Sequence, residues 1–148
     1  MARQSRQPSG TGIYHVMMRG INHQNIFEEH EDYEDYYQFL NTLDMMARSY
    51  DPDGSSLGRN YILYAYCLIS NHIHLLIRER EDTIGMAIKR IASSYVYYYN
   101  HKYSRDGHLF CKRFKSETVN DMAYFLNLLR YIHQNPVMAG MVSEVKDY

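Results

Sequence analysis

Apolar residues along the chain follow two different periods, and their succession predicts an order of strands and helices. Residues 14–19, 61–68 and 72–77 are short apolar runs, which indicate strands. A serine-asparagine pair supplies turn chemistry between the last two runs, so these are predicted to form a β-hairpin. A final strand is predicted within residues 108–119, with basic residues at or near a sheet edge.

Three segments carry apolar residues at helical spacing. The first covers residues 31–47, with tyrosines and leucines on one face and acids on the other. The second follows Thr83, a predicted N-cap, and runs for about 20 residues. The third begins at Asn120 or at the next residue and ends near Pro136. Residues 51–58, DPDGSSLG, are predicted to form a loop before the hairpin.

The predicted order is β, α, β, β, α, β, α. It indicates an α+β fold in which helices back an antiparallel sheet, as in the ferredoxin-like split βαβ arrangement. A chain of 148 residues suits one domain, here residues 13–148, preceded by a flexible basic arm at residues 1–12. The chain shows no membrane span, no signal core and no CxxC pair, so we expect a soluble cytoplasmic protein.

Charge is segregated along the chain, although the net charge is only −1. Residues 26–54 hold nine acids against one arginine, whereas residues 83–115 hold seven Lys and Arg against one aspartate. The basic block is rich in tyrosine, which suits single-stranded nucleic acid, although a solvated basic helix with tyrosines in the core explains the same pattern. The candidate contacts to a DNA backbone are Arg90, Lys102, Arg105, Lys112, Arg113 and Lys115.

Two histidines separated by one residue begin the second hairpin strand. In a strand, His72 and His74 point to the same face as Leu76. Adjacent imidazoles on a rigid element suit a metal ion, but two half-buried polar residues on a sheet face would show the same spacing. His15, in the first strand, has no partner at such a spacing, so we interpret it as structural.

The last helix holds a tyrosine and an asparagine four residues apart. Tyr131 and Asn135 therefore share one helix face. A phenol can become a nucleophile, and a carboxamide oxygen can bind a hard cation. The chain has 16 tyrosines, however, and Asn135 is also a helix-end residue before proline, so the pair alone is not specific.

Four motifs in order carry a resemblance to a known family. They are AYCLISNHIHLL from residue 65, YxxN at residues 97–100, GHLFCKRFKS from residue 107 and YIHQNPVMAG from residue 131. Together they resemble the single-tyrosine HUH transposases, named for His-hydrophobic-His. The REP-associated tyrosine transposases and the transposases of small bacterial insertion sequences are the most similar branches. The resemblance covers nearly the whole chain.

The resemblance implies a ferredoxin-like core of the HUH-endonuclease type and a divalent metal ion, Mg²⁺ or Mn²⁺. It also implies a tyrosine that attacks DNA to leave a 5′-phosphotyrosine and a free 3′-hydroxyl. Matched by motif, the metal ligands are His72, His74 and Asn135, and the nucleophile is Tyr131. Insertion-sequence relatives use a glutamine ligand on the tyrosine helix, so Gln134 competes with Asn135 for this role.

Single-stranded DNA with a hairpin is the substrate that the resemblance implies. Insertion-sequence relatives combine ligands and tyrosine from two subunits, whereas the REP-associated branch can act as monomers, so a homodimer and a monomer both remain open. Three other functions also remain open: a metal phosphodiesterase that uses water, a non-catalytic DNA-binding regulator derived from a transposase, and a structural protein with two packed histidines.

Overall fold

A computed structural model describes the backbone of residues 10–28, 33–50, 56–111 and 113–138, and their side chains except at 49–50, 56–58 and 134–138. Most of the predicted basic arm lies outside these residues. The elements are β1 (Ile13–Arg19), a 3-10 turn (Ile21–His23), α1 (Glu34–Ala47), β2 (Arg48–Tyr50), β3 (Ser56–Arg59), β4 (Tyr61–Ile69), β5 (His72–Glu79), α2 (Ile84–Lys102), β6 (Lys115–Val119) and α3 (Met122–Met138). Of the helices described, none has the length and apolar character needed to cross a membrane.

Four strands form one antiparallel sheet in the order β4, β5, β1, β6, and β2 pairs with β3 in a separate hairpin. The helices α1 and α2 connect β1 to the β4–β5 hairpin and that hairpin to β6, which is the split βαβ arrangement of ferredoxin-like folds. The predicted α+β fold class is confirmed. The strand β6 is an edge strand, so Lys115, the basic residue within it, lies at an edge as expected, whereas Arg113 precedes the strand.

Two apolar cores lie on opposite faces of this sheet. On one face, Val16 and Leu75 pack with apolar residues of α1 and α2. On the other face, Leu76 packs with Leu128 and Ile132 of α3. Because side chains alternate along a strand, the histidines of β5 lie on the face of Leu76 and point toward α3.

The predicted starts of α2 and α3 are confirmed by hydrogen bonds. At α2, Thr83 Oγ1 accepts a hydrogen bond from the Met86 N–H at 3.3 Å. Before α3, Asp121 Oδ1 accepts one from the Tyr124 N–H at 2.8 Å. Both caps satisfy N–H groups that have no partner within the helix, so the local sequence determines where these helices begin.

Three predicted boundaries differ from the structure. Residues 56–58, predicted as loop, begin β3, because pairing with β2 overrides the low strand propensity of serine and glycine; residues 51–55 lie outside the described part. The last strand is limited to Lys115–Val119, and upstream Phe110 makes a single bridge to the residue after β1. The helix α3 continues past Pro136 to Met138, although a proline within a helix removes one hydrogen bond.

Candidate active site

His72 and His74 lie side by side on the face of β5 that α3 covers. Their ring centroids are 5.2 Å apart and the ring planes are at 81°. Ile73 and Leu75 fill the opposite core, so a slip of one residue would move the imidazoles into that core. The shared face predicted from the alternation is confirmed.

His15 on β1 completes a cluster of three imidazoles. Its Nε2 lies 3.0 Å from His74 Nδ1, and the two rings stack with centroids 5.3 Å apart. Its Nδ1 lies 3.8 Å from Glu117 Oε2 on β6. The sequence interpretation placed His15 outside the candidate site. The pairing of β1 with β5 brings it into the cluster, and this pairing is a long-range contact that spacing along the chain does not show.

Tyr131 on α3 lies over these histidines. Its ring meets those of His74 and His15 edge-on, with centroids 5.8 and 6.5 Å away. Leu128 and Ile132 are buried against the sheet and hold α3 in place, while Tyr131 stays 45% exposed. The candidate nucleophile is thus in contact with a candidate ligand and open to solvent.

Asn135 and Gln134 lie on α3 about one turn after Tyr131. Their side chains are outside the described residues, so the choice between them stays a prediction. Within the described residues, no group of three His, Cys, Asp or Glu side chains is arranged to hold a metal ion. A metal ion bound by the two strand histidines would therefore need an additional donor of another kind, such as an amide oxygen or water.

Burial keeps the three imidazoles neutral at neutral pH. It lowers the pKa of His74 to about 4, with smaller effects from His15 and His72. Burial also lowers the pKa of His72, and Arg19 contributes. The pKa of His15 is lowered by burial as well, although Glu117 opposes the shift. Neutral imidazole is the form that binds metal ions, so the cluster suits a cation.

In both strand histidines, Nδ1 is the ring nitrogen that contacts a neighbouring side chain. His72 Nδ1 lies 2.8 Å from Asn71 Oδ1, and His74 Nδ1 lies 3.0 Å from His15 Nε2. Neither Nε2 has a hydrogen-bond partner among the residues that the structure describes. Histidines that bind metals usually engage their other nitrogen in this way. Both side chains therefore fit a metal ion bound through Nε2.

Arg19 and Lys115 lie on the same face of the sheet as the histidines. Arg19 is directly opposite His72, and Met17 is opposite both His74 on one side and Lys115 on the other. Opposite residues of paired strands share a face. Both cations are exposed. Sequence reasoning missed Arg19, although alternation along β1 places it on the face of Met17.

Three of the cations predicted to contact DNA already have partners within the protein. The Arg90 guanidinium pairs with a buried aspartate at 2.8 Å, and the Lys102 ammonium pairs with Asp35 at 2.8 Å. Arg105 donates a hydrogen bond to Asn100 Oδ1 at 2.8 Å. The structure does not bring these three residues to the histidine cluster. Two of them belong to α2, which packs on the opposite face of the sheet, and Arg105 bonds to the end of that helix.

Arg113 lies in a groove formed by β1, α2 and the segment before β6. Arg19, Lys89 and Phe114 also line this groove, so its wall contains three cations and an aromatic ring. Lys112 lies outside the described residues. Of the candidate DNA contacts described, Lys115 is on the face of the histidines. Strand register does not place Arg113 on that face, but Arg113 lines the same groove as Arg19.

The tyrosines of α2 belong mainly to the protein interior. Tyr95 and Tyr99 are buried in the core, and the Tyr98 hydroxyl donates to Asp35 at 2.9 Å. Tyr97 is 76% exposed and stacks on the His101 ring. Core packing therefore accounts for most of the tyrosine density in the basic block.

Comparisons with known proteins give both a family and a fold. A family model described as IS200-like transposase matches residues 10–135. A curated protein of Haemophilus influenzae named as a REP-associated tyrosine transposase is 28% identical over 95 residues, covering 57% of this chain and 54% of the relative. The match thus spans about half the length of that relative.

Two solved structures share the fold. A REP-associated tyrosine transposase bound to a REP hairpin has a TM-score of 0.71 and 18% identity, covering 100% of this chain and 80% of that chain. A protein of Deinococcus radiodurans R1 assigned as a transposase has a TM-score of 0.52 and 15% identity, covering 90% and 97%. Since the family model spans most of the sequence, and the ferredoxin-like sheet agrees with it, the chain belongs to the IS200-like transposase family.

Proposed function

We propose that this chain is a metal-dependent single-stranded DNA transposase that cleaves and rejoins DNA through a 5′-phosphotyrosine. The observation that carries the proposal is the packing of the exposed Tyr131 against His74, with ring centroids 5.8 Å apart. A tyrosine hydroxyl beside neutral imidazoles suits metal-assisted attack on a phosphate. Membership of the transposase family supports the same chemistry.

His72 and His74 would hold Mg²⁺ or Mn²⁺ through Nε2, with Asn135 as third ligand and Gln134 as its competitor. The bound ion would supply Lewis-acid polarisation of the scissile phosphate. The protein keeps both imidazoles neutral through burial and turns their Nδ1 atoms toward protein partners.

Tyr131 Oη attacks the phosphorus, and the bond from phosphorus to the 3′-oxygen breaks. The phenol loses its proton to solvent and the leaving oxygen gains one, so a phosphotyrosine and a free 3′-hydroxyl result. Because the phosphotyrosine retains the energy of the phosphodiester, a second 3′-hydroxyl can attack it. That step restores the phenol and a phosphodiester without ATP.

We propose a hairpin-containing single strand as the substrate, because a solved relative of the same fold is bound to a REP hairpin. Arg19 and Lys115, two exposed cations on the face of the histidines, would contact phosphates of this strand. Arg113 would contact the strand where it enters the neighbouring groove. The candidates on α2 would contribute less, since their charges have partners within the protein.

The proposal is tested with end-labelled single-stranded hairpin DNA from the flank of the gene, incubated with Mn²⁺ or EDTA and run on a denaturing gel. We expect a protein–DNA adduct only with Mn²⁺, and peptide mass spectrometry should locate the DNA on Tyr131. Cleavage without an adduct would instead indicate a water-using phosphodiesterase. Binding without cleavage, on two different flanking substrates, would indicate a regulator.

Alanine at Arg19 or Lys115 should weaken hairpin binding by about five- to tenfold at low salt, because each loses a phosphate contact. Each change should also reduce the slope of log affinity against log salt by roughly 0.7. Fluorescence anisotropy over a salt series measures both quantities. Arg48→Ala, which removes an exposed cation paired with Asp44, is the matched control. An equal loss in this control would refute the placement of the DNA.

A further inference from the structure

Glu117, His15 and His74 form a chain of side chains across three strands. Glu117 stands directly opposite His15 in the pairing of β6 with β1, and its Oε2 lies 3.8 Å from His15 Nδ1. His15 Nε2 lies 3.0 Å from His74 Nδ1. The Tyr124 hydroxyl donates to Glu117 Oε2 at 2.7 Å and orients this carboxylate. The chain thus runs from the edge strand to the candidate metal ligand.

The carboxylate determines the direction of the hydrogen bond between the two imidazoles. A neutral imidazole has one N–H and one lone pair. With hydrogen on Nδ1, His15 turns its N–H toward Glu117, and its Nε2 accepts a hydrogen bond from His74 Nδ1–H. The opposite tautomer would turn a lone pair toward the negative carboxylate, which is electrostatically unfavourable. It would also leave hydrogen on His74 Nε2, where a metal ion could then not bind.

We propose that His15 is a positioning residue which, oriented by Glu117, holds His74 as the Nδ1–H tautomer and so presents the Nε2 lone pair to the metal ion. No change of charge is involved. Asn71 plays the same part for His72, whose Nδ1 lies 2.8 Å from its Oδ1. His15 is not itself a ligand, because both of its ring nitrogens face protein groups. The metal-binding role of His74 rests on the proposed function, whereas its tautomer does not.

The tautomer is measured in metal-free protein by long-range ¹H–¹⁵N NMR of the histidine side chains. Wild-type His74 should carry hydrogen on Nδ1. His15→Leu removes the acceptor and should shift His74 toward the Nε2–H form. His15→Gln offers a carboxamide oxygen to the same donor and should restore much of the Nδ1–H form. An unchanged tautomer in His15→Leu would overturn the inference.

Mn²⁺ affinity, measured by EPR titration without DNA, is the second readout. Loss of the orienting partner should weaken binding by roughly 10- to 100-fold in His15→Leu, and His15→Gln should recover part of the loss. Glu117→Gln should give a smaller loss. Its side chain is 64% exposed, so this variant keeps the test decisive should His15→Leu fail to fold. His101→Leu, at an exposed histidine of α2, is the control and should bind as wild type.

The two readouts separate this inference from the proposed function. Wild-type protein that binds no Mn²⁺ would count against the proposed function, and the NMR result would still decide the role of His15. Wild-type affinity in His15→Leu, with metal bound normally, would overturn the positioning role and leave the proposed function standing.

Discussion

Tyr131→Phe is expected to reduce formation of the covalent DNA adduct by roughly a thousandfold or more, because it removes the hydroxyl that we propose bonds to phosphorus. The fold should be unaffected. Tyr131 is 45% exposed, and its contacts with His74 and His15 are ring contacts that phenylalanine keeps. Quantified adduct on a denaturing gel measures the effect, and circular dichroism verifies the fold.

Tyr97→Phe is the matched control, since Tyr97 is also an exposed helix tyrosine but lies on α2. It should form the adduct at the wild-type level. A residual adduct in Tyr131→Phe that mapped to another tyrosine would refute the assignment.

Because the rings of Tyr131 and His74 meet within one chain, mixing Tyr131→Phe with His74→Ala should not restore activity. Restoration would indicate a dimer with shared sites.

Asp35→Asn is expected to lower the free energy of unfolding by about 2–4 kcal/mol at neutral pH, because an amide in place of the carboxylate leaves hydrogen-bond donors in the interior without an acceptor. Asp35 is fully buried and accepts hydrogen bonds from four groups. The donors are the Glu28 N–H at 2.9 Å, the Tyr98 hydroxyl at 2.9 Å, the Tyr103 hydroxyl at 2.6 Å and Lys102 Nζ at 2.8 Å. These bonds tie α1 to α2, and an amide cannot accept all of them. Urea unfolding followed by circular dichroism measures the loss.

The pH dependence of this loss provides a second measurement. Burial raises the pKa of the Asp35 carboxyl, but the hydrogen bonds from Lys102 and its other donors outweigh burial and bring the pKa below its ordinary value. The carboxylate therefore contributes stability that is complete above about pH 4 and is lost as the pH falls through the folded-state pKa. The gap between wild type and Asp35→Asn should narrow at acid pH, and a constant gap would contradict this. Asp44→Asn, at an exposed ion pair, should cost less than about 1 kcal/mol.

Much of the fold follows from local patterns in the sequence. The alternation around His72 and His74 predicted their shared face, and Thr83 and Asp121 marked helix starts that hydrogen bonds confirm. Local patterns were less informative where an acid is buried. Asp35 belongs to an acidic helix face by its spacing, yet it is buried and paired with Lys102. Local spacing could not show this pairing, because the two residues are 67 positions apart in sequence. The same contact gives Lys102, one of the candidate DNA contacts, a partner within the protein.

Sequence patterns predicted the order of the helices and of the four strands in the main sheet, but not the β2–β3 hairpin. They also identified the paired histidines of β5 and the motifs that make Tyr131 a candidate nucleophile. These are properties of short stretches, because periodicity and capping act over a few residues. Tertiary contacts, in contrast, bring His15, Arg19 and Lys115 onto the face of those histidines and Tyr131 over them. The physical reason is that strand register and helix packing are set by burial between distant segments, which no local spacing encodes.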